Sequence, residues 1–214
     1  GEAVDDRFGR SLSLNAFGDR IVIGARKNDG TGTDAGHARV FEFTNTAWSQ
    51  MGPDIDGEAA GDNFGRSVSI NAAGDRIAVG ANFNDGTGTD AGHVRVYEYI
   101  AAGSSWSQMG PDIDGEAAGD NSGYSISINA KGNRVAIGAP SNNGTGSGAG
   151  HVRVYEYISA ASSWSLLGSD IDGEAAGDDS GYSVYLNAVG DRVAIGAPFN
   201  SGTGSSAGHT RVYE

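Results

Sequence analysis

The sequence predicts an all-β protein, a β-propeller built from four-stranded antiparallel blades, and three observations support this prediction. A repeat of 56–58 residues runs through the whole chain of 214 residues. Each complete repeat contains four short segments of β-branched, alternating sequence separated by turn-forming residues. No segment keeps a period of 3.6 residues. Four strands in a repeat of this length are typical of a propeller blade.

The anchor sequence Gly-Glu-Ala starts each repeat, at Gly1, Gly57, Gly115 and Gly173. It divides a single repeat array into residues 1–56, 57–114, 115–172 and 173–214, and the last repeat is incomplete. In the second repeat the predicted strands are residues 67–72, 76–81, 93–99 and 105–110. Over the whole chain this pattern gives fifteen strands, with the innermost ones at residues 11–16, 67–72, 125–130 and 183–188.

Two short motifs resemble the FG-GAP repeat family of integrin-α-type propellers. Phe8-Gly9 and Phe64-Gly65 carry the first motif, and Gly138-Ala139-Pro140 and Gly196-Ala197-Pro198 carry the second, although no single repeat has both intact. The resemblance implies that the first strand of each repeat is innermost and the fourth outermost. It also implies that the crossing segments between repeats and the long loops after the second strands share one face. Family propellers commonly have seven blades, more than this chain supplies.

Composition excludes several classes of function. The chain has 27 acidic and 14 basic residues, a formal net charge of −13, which argues against nucleic acid and anionic membrane surfaces as partners. No apolar run approaches the roughly 20 residues of a membrane-spanning helix. Because the chain has no cysteine, disulfides and thiolate chemistry are excluded.

Catalysis has little support, because nearly every polar residue recurs in each repeat, whereas an active site needs a unique constellation. No G-x-S-x-G elbow occurs. One histidine begins the third strand of each repeat, and we expect His37, His93, His151 and His209 to be structural because that strand lies away from the axis. The sequence therefore predicts a non-catalytic protein.

The crossing segments carry the strongest polar pattern, because alternating carboxylates followed by glycine suit a hard cation such as Ca²⁺. The candidate ligands are Asp54, Asp56, Glu58, Asp62, Asp112, Asp114, Glu116, Asp120, Asp170, Asp172, Glu174 and Asp178. The alternative is that these side chains form turns with the backbone. The calcium cage of the family lies elsewhere, in the turn between the first and second strands. That turn has a single acid here, as in residues 71–75, so this site is expected to be missing.

The early and late repeats differ after the Phe-Gly or Ser-Gly pair. Arg10 and Arg66 occupy a position that Tyr124 and Tyr182 hold later in the chain. The long loops of the first two repeats carry acids, and those of the last two carry none. This gradient indicates either a ligand site or drift between duplicated repeats.

The fourth repeat lacks its fourth strand, which leaves an open sheet edge at Thr210, Arg211, Val212 and Tyr213. Exposed edges accept strands from other chains. The chain is then a piece of a longer array, an assembly of copies, or four blades that close alone. The sequence favours an extracellular or cell-surface binding and adhesion module for a protein or glycan. The alternative is a structural protein that self-assembles into a ring or a filament through its terminal blades.

Overall fold

The computed structural model describes residues 1–214 and confirms the predicted class, with four antiparallel sheets and one short 3₁₀ segment, Ala101–Gly103. Blade 1 contains β1 (Ser11–Leu14), β2 (Arg20–Ala25), β3 (His37–Thr44), β4 (Ala47–Gln50) and β5 (Ile55–Asp56). Blade 2 contains β6 (Ser67–Ile70), β7 (Arg76–Ala81), β8 (His93–Ile100), β9 (Ser105–Gln108) and β10 (Ile113–Asp114). Blade 3 contains β11 (Ser125–Ile128), β12 (Arg134–Ala139), β13 (His151–Ile158), β14 (Ser163–Leu166) and β15 (Ile171–Asp172). Blade 4 contains β16 (Ser183–Leu186), β17 (Val193–Ala197) and β18 (His209–Tyr213).

The number of strands was predicted wrongly: the chain has eighteen rather than fifteen. The three additional strands are β5, β10 and β15, short pieces of the crossing segments that were expected to be loops. Each pairs with the head of the third strand of its blade, as in the pairing of Ile113 with Val94. The buried side chain of Ile113 explains this pairing, because it places an apolar group against the sheet between the half-buried Asp112 and the exposed Asp114.

The innermost strands are two residues shorter than predicted, because an asparagine turn replaces their last two positions. In blade 2 the Asn71 side-chain oxygen accepts hydrogen bonds from the backbone N–H groups of Gly74, Asp75 and Arg76. A side chain that satisfies three successive backbone donors fixes a tight turn and ends the strand. All four first strands line one central cavity of about 200 Å³, so the first strands are innermost, as expected.

Every blade has two faces, here called the front face, which meets the preceding blade, and the back face, which meets the next one. In β8 the alternation of the strand sends Val94 and Val96 to the back face and Tyr97 to the front face. The apolar cluster between blades 1 and 2 therefore joins a back face bearing Val22 and Val40 to a front face in blade 2. Equivalent clusters fill the junctions between blades 2 and 3 and between blades 3 and 4.

Glycines let the backbones of consecutive blades touch. A side chain on Gly80, in the second strand of blade 2, would overlap the backbone carbonyl of Gly123, which follows Ser122 at the entry to blade 3. Gly123 has a φ of +82°, a conformation that favours glycine. Ser67 Oγ donates a hydrogen bond of 2.7 Å to the same Gly123 carbonyl. The Gly-Ala-Pro-type glycine of one repeat thus packs on the Phe-Gly-type glycine of the next.

A serine of the innermost strand forms a second link between blades. Ser13, Ser69 and Ser127 accept hydrogen bonds from the backbone N–H groups of Ile70, Ile128 and Leu186 in the following blade. Blade 4 has Tyr185 at this position, and its side chain is largely exposed. The back face of blade 4 therefore departs from the pattern of the other three blades.

The outermost strands also join neighbouring blades, through tryptophan. The indole N–H of Trp106 donates to the Met51 carbonyl at 2.8 Å, and that of Trp164 donates to the Met109 carbonyl at 2.6 Å. Trp48 has no preceding blade, and it is exposed. Trp106 and Trp164 are thus packing groups that join consecutive blades.

We predict that Trp106→Phe lowers the free energy of unfolding by about 1 kcal/mol more than Trp48→Phe does, because only Trp106 loses a partly buried hydrogen bond. Both changes remove the same atoms, so Trp48→Phe is the matched control. Urea unfolding followed by circular dichroism measures the difference. Equal losses in the two variants would contradict a stabilising role for the link to Met51.

Candidate functional site

The structure does not bring the four acids of a crossing segment together. In the segment of residues 54–62, Asp54 is bound by Arg39, and Glu58 contacts Arg95 of the next blade. Asp62 is buried, while Asp56 is exposed at the end of β5. The segments that begin at Asp112 and Asp170 repeat this division. A single Ca²⁺ cage from each set of four is therefore not the arrangement observed.

The structure instead forms a charged cluster within each repeat, called here the His–Arg cluster. Each complete cluster combines the glutamate of Gly-Glu-Ala, the histidine and arginine at the head of the third strand, and the first aspartate of Asp-Ile-Asp. The three complete clusters are Glu2, His37, Arg39 and Asp54; Glu58, His93, Arg95 and Asp112; and Glu116, His151, Arg153 and Asp170. In blade 4 only Glu174, His209 and Arg211 are present.

Arginine is the centre of each cluster. Arg95 holds Asp112 with two hydrogen bonds, 2.9 Å from Nε to Oδ1 and 2.8 Å from a terminal nitrogen to Oδ2, and it also contacts Glu58. Burial opposes ionisation of Asp112, but the hydrogen bonds from Arg95 and Gln108 outweigh burial and lower the pKa of this carboxyl. Burial likewise opposes the charge on Arg95, yet its bonds to Asp112 and Glu58 raise the pKa of the guanidinium above its usual value.

The histidines of the three complete clusters are buried. His93 Nδ1 lies 3.6 Å from Asp112 and 3.9 Å from Glu58, too far for good hydrogen bonds. Burial, helped by the nearby charge of Arg95, lowers the pKa of His93 to about 4. Burial also lowers the pKa of His37 and of His151. The histidines are therefore packing groups, as expected from their place on the third strand.

A cation does not fit the His–Arg clusters as they stand. Two carboxylates and an imidazole nitrogen come close enough to be ligands for a metal ion. However, both carboxylates of the second cluster, Glu58 and Asp112, already neutralise the guanidinium of Arg95. The positive charge that a metal would supply is thus already provided by the chain.

The turn between the first and second strands does not form a calcium cage either. In blade 2 it contains one acid, Asp75, whose Oδ1 accepts a hydrogen bond of 2.8 Å from the Asn71 side-chain amide. One carboxylate offers too few oxygen ligands for Ca²⁺, which takes six to eight. The expectation that the family site is missing agrees with this geometry.

The last aspartate of each crossing segment has a turn-forming role. Asp62 is buried and accepts hydrogen bonds from the Asn84 side chain at 3.0 Å and from the Ala59 backbone N–H at 3.3 Å. Burial raises the pKa of Asp62 although both hydrogen bonds oppose the shift. Asp120 and Asp178 repeat this arrangement with Asn142 and Asn200. The geometry favours the turn-forming alternative, and the calcium sites remain a prediction.

Sequence reasoning missed the arginines. Arg39, Arg95, Arg153 and Arg211 each follow a cluster histidine by two positions. Because side chains two apart on a strand share a face, this spacing places each arginine on the same side of the sheet as its histidine. The recurring His-x-Arg pattern would thus have predicted the His–Arg clusters from the sequence.

The open edge lies where it was predicted. β18 pairs with β17 alone, whereas the third strands of the other blades pair on both sides. Val212 is 66% exposed, although its counterparts Val40 and Val96 are buried. No helix in the structure has the length and apolar character needed to cross a membrane.

The fold and the repeated junctions define a β-propeller repeat protein. The model of the FG-GAP repeat matches residues 2–41 and 55–97. These two stretches match the FG-GAP repeat, so the resemblance is confirmed in the first two blades. None of the curated proteins matches the chain.

Solved structures resemble the chain in fold alone. A "putative 6-phosphogluconolactonase" from Bacteroides uniformis aligns with a TM-score of 0.61 and 9% identity, over 90% of this chain and 51% of that one. Hydrazine synthase from Kuenenia stuttgartiensis aligns with a TM-score of 0.54 and 10% identity, over 92% of this chain and 44% of that one. The chain thus spans about half the length of the first of these proteins.

We predict that removing Ca²⁺ with a chelator leaves the melting temperature within about 1 °C of its value in calcium, because arginines already neutralise the clustered acids. Differential scanning calorimetry with EDTA and with added CaCl₂ measures this, and EDTA plus excess MgCl₂ is the control for ionic strength. A fall of several degrees in EDTA alone, restored by calcium, would establish the calcium sites instead.

We also predict that acid destabilises the fold through the cluster histidines. The pKa of His93 is about 4 in the folded chain against 6.5 ordinarily, so between these values the unfolded chain binds more protons. Stability is therefore full above pH 6.5 and is lost as the pH falls towards 4, by about 3 kcal/mol for this group. Urea unfolding across this range should show a shallower decline for His93→Gln. Parallel curves for the two proteins would contradict the assignment.

Proposed function

We propose that the chain is a non-catalytic propeller module that acts outside the cell and binds other blades of its own kind. The observation that carries this proposal is the uncovered front face of blade 1. Four of its apolar residues, Leu14, Ile21, Ile23 and Phe41, occupy positions at which every other blade packs an apolar side chain against its neighbour. The chain therefore displays one half of a junction that it forms three times internally.

The front face of blade 1 is an apolar groove. Its volume is about 400 Å³, and it is lined by Phe8, Leu14, Ile21, Ile23, Phe41 and Trp48. Leu14 is 53% exposed, whereas its counterpart Ile70 in blade 2 is 7% exposed. Contiguous apolar surface of this kind marks an interaction site in a folded protein.

The back face of blade 4 is the complementary half. Val212 and Tyr185 are both largely exposed there, and Thr210 and Ala194 complete the surface. The free side of β18, formed by Thr210, Arg211, Val212 and Tyr213, adds unpaired backbone groups. Covering these side chains gains about 25 cal/mol for each Å² of apolar surface removed from water.

The proposed occupant of the front face is the fourth blade of a second copy. All three internal junctions join a back face to a front face in the same direction, so the two free faces of successive copies meet head to tail. Such a contact is heterologous: it closes into a ring if the rotation permits and otherwise continues as a filament. This supports assembly as the mode of action.

The proposal that the chain is non-catalytic is based on the charged side chains of the His–Arg clusters, which already contact one another. The carboxylates and histidines of the clusters recur from repeat to repeat and are engaged by arginine or buried. An extracellular or surface location is proposed because FG-GAP repeats occur in proteins of that kind. A protein or glycan ligand for adhesion fits the same role.

We predict that the chain associates with itself and that Leu14→Asp reduces this association by at least about tenfold, since a carboxylate cannot enter an apolar junction without a large desolvation cost. Sedimentation velocity over a wide range of protein concentration measures the size of the species. Leu14 is exposed in the free chain, so the variant should fold normally.

Ile158→Asp is the matched control, because Ile158 is also partly exposed but lies at the outer rim of blade 3, away from both free faces. Adding a second copy of residues 157–172 after Glu214 supplies the strand missing from blade 4 and should also reduce assembly. A wild-type chain that stays monomeric at every concentration would refute the proposal.

A further inference from the structure

The arginines of the chain divide into two groups. Of twelve arginines, eight form ion pairs with carboxylates: Arg20, Arg39, Arg76, Arg95, Arg134, Arg153, Arg192 and Arg211. The remaining four, Arg7, Arg10, Arg26 and Arg66, have no carboxylate within ion-pair distance. Unpaired arginines are unexpected in a chain with a net charge of −13.

These four arginines lie together at the entry to blades 1 and 2. Arg26 donates a hydrogen bond of 2.6 Å to the Asn63 side chain, and the backbone N–H of Arg66 donates to the Asn63 carbonyl. The backbone N–H of Arg10 donates to the Arg7 carbonyl, which places both in one turn. Burial, together with the charges of Arg66, Arg7 and Arg10, lowers the pKa of Arg26. The four positive charges therefore share one surface.

The fold does not require these arginines. Arg7 stands where the second and third repeats have Asn63 and Asn121. Arg26 stands where the second repeat has Asn82 and the later repeats have proline. The fourth repeat has Asp179 at the position of Arg7. Because the other blades fold without a basic residue at these two positions, the basic side chains add a property that folding does not explain.

A row of aromatic rings continues from the arginines across the same face. The Arg66 guanidinium lies 3.9 Å from the centre of the Tyr124 ring. The Tyr124 and Tyr182 rings are 5.0 Å apart, and Phe199 lies 6.4 Å beyond Tyr182. Tyr182 and Phe199 are exposed. We call the four arginines together with Tyr124, Tyr182 and Phe199 the arginine–tyrosine strip.

Local acids do not neutralise the strip. Asp34 is the acidic residue that acts most strongly on Arg26, and its carboxylate is held at 2.6 Å by Lys27. Nucleic acid is a poor partner for a chain of this net charge, because its phosphates would meet an acidic surface outside the strip. The strip therefore suits a small ligand that carries its negative charges close to ring-shaped groups.

We propose that the arginine–tyrosine strip binds an acidic oligosaccharide, with its carboxylates on the arginines and its sugar rings on the exposed aromatic faces. Guanidinium groups form paired hydrogen bonds with carboxylates, and aromatic side chains offer flat apolar surfaces beside them. An acidic peptide would use the arginines but not the rings. The site borders the apolar groove of blade 1, because Phe8 of that groove lies between Arg7 and Arg10. The proposed ligand contacts the arginines and exposed rings rather than the groove, so its binding does not require self-association.

The test is isothermal titration of the chain with trigalacturonic acid at low ionic strength. We expect binding that Arg7→Gln together with Arg10→Gln weakens by at least about tenfold, since each lost charge-assisted contact contributes more than a neutral one. Both arginines are exposed and unpaired, so this variant should remain folded. The control is Lys131→Gln together with Arg192→Gln, which removes two exposed positive charges from the opposite face and should leave binding unchanged.

A second variant separates a saccharide from a peptide. Tyr182→Ser should weaken trigalacturonic acid several-fold and leave binding of hexaglutamate unchanged. The proposal is overturned if trigalacturonic acid does not bind, if neutral galactotriose binds equally well, or if hexaglutamate binds more tightly than the sugar. Repeating the titration with Leu14→Asp, whose apolar groove is blocked, keeps failure of this site distinct from failure of the assembly proposed above.

Discussion

The contact between glycine backbones of consecutive blades is the constraint on which the rest of the structure depends. Gly24, Gly80 and Gly138 each meet the carbonyl of the entry glycine of the next blade, with no room for a side chain. This approach brings the innermost strands close enough for the serine hydrogen bonds near the axis. It also sets the distance at which the apolar front and back faces interlock. The two glycine motifs of the FG-GAP pattern thus meet in two ways. Within a repeat the backbone N–H of Gly65 donates a hydrogen bond to the Gly80 carbonyl, and between repeats the Gly80 backbone packs on the Gly123 carbonyl.

The sequence was sufficient to predict the class of fold, because a repeat constrains every blade at once. Arg76–Ala81 was predicted with its observed bounds, since its alternation and flanking turns agree. The ends of the innermost strands were not predictable from alternation alone, because Asn71 competes for the backbone donors through its own side chain. The short strand Ile113–Asp114 was missed for a related reason. Two residues between turn formers carry no periodic signal, and only the sheet beside them makes them a strand.

The candidate site was predicted less well than the fold. The carboxylates were grouped with one another, and the arginines that pair with them were overlooked. The sequence grouped Asp112, Asp114, Glu116 and Asp120 by their proximity in the chain, whereas the structure assigns them to different neighbours. Asp112 belongs with Arg95, which precedes it by an entire hairpin, and Glu116 belongs with Arg153 of the next blade. Long-range pairing of this kind is set by strand register, which a list of local spacings does not contain. The same register explains why the complete His–Arg cluster recurs in three of the four repeats.

Tyr185 distinguishes the back face of blade 4 from the back faces of the other three blades. In the other blades the equivalent serine accepts a hydrogen bond from the blade that follows, and its small side chain lets the innermost strands approach. A blade placed on the back of blade 4 meets a phenol ring there instead, so this joint differs from the three internal ones at the innermost strand. In the proposed assembly, three joints with a serine at this position would therefore be followed by one joint with a tyrosine. The distance between successive tyrosine-containing joints would then equal the length of the four blades that one chain supplies.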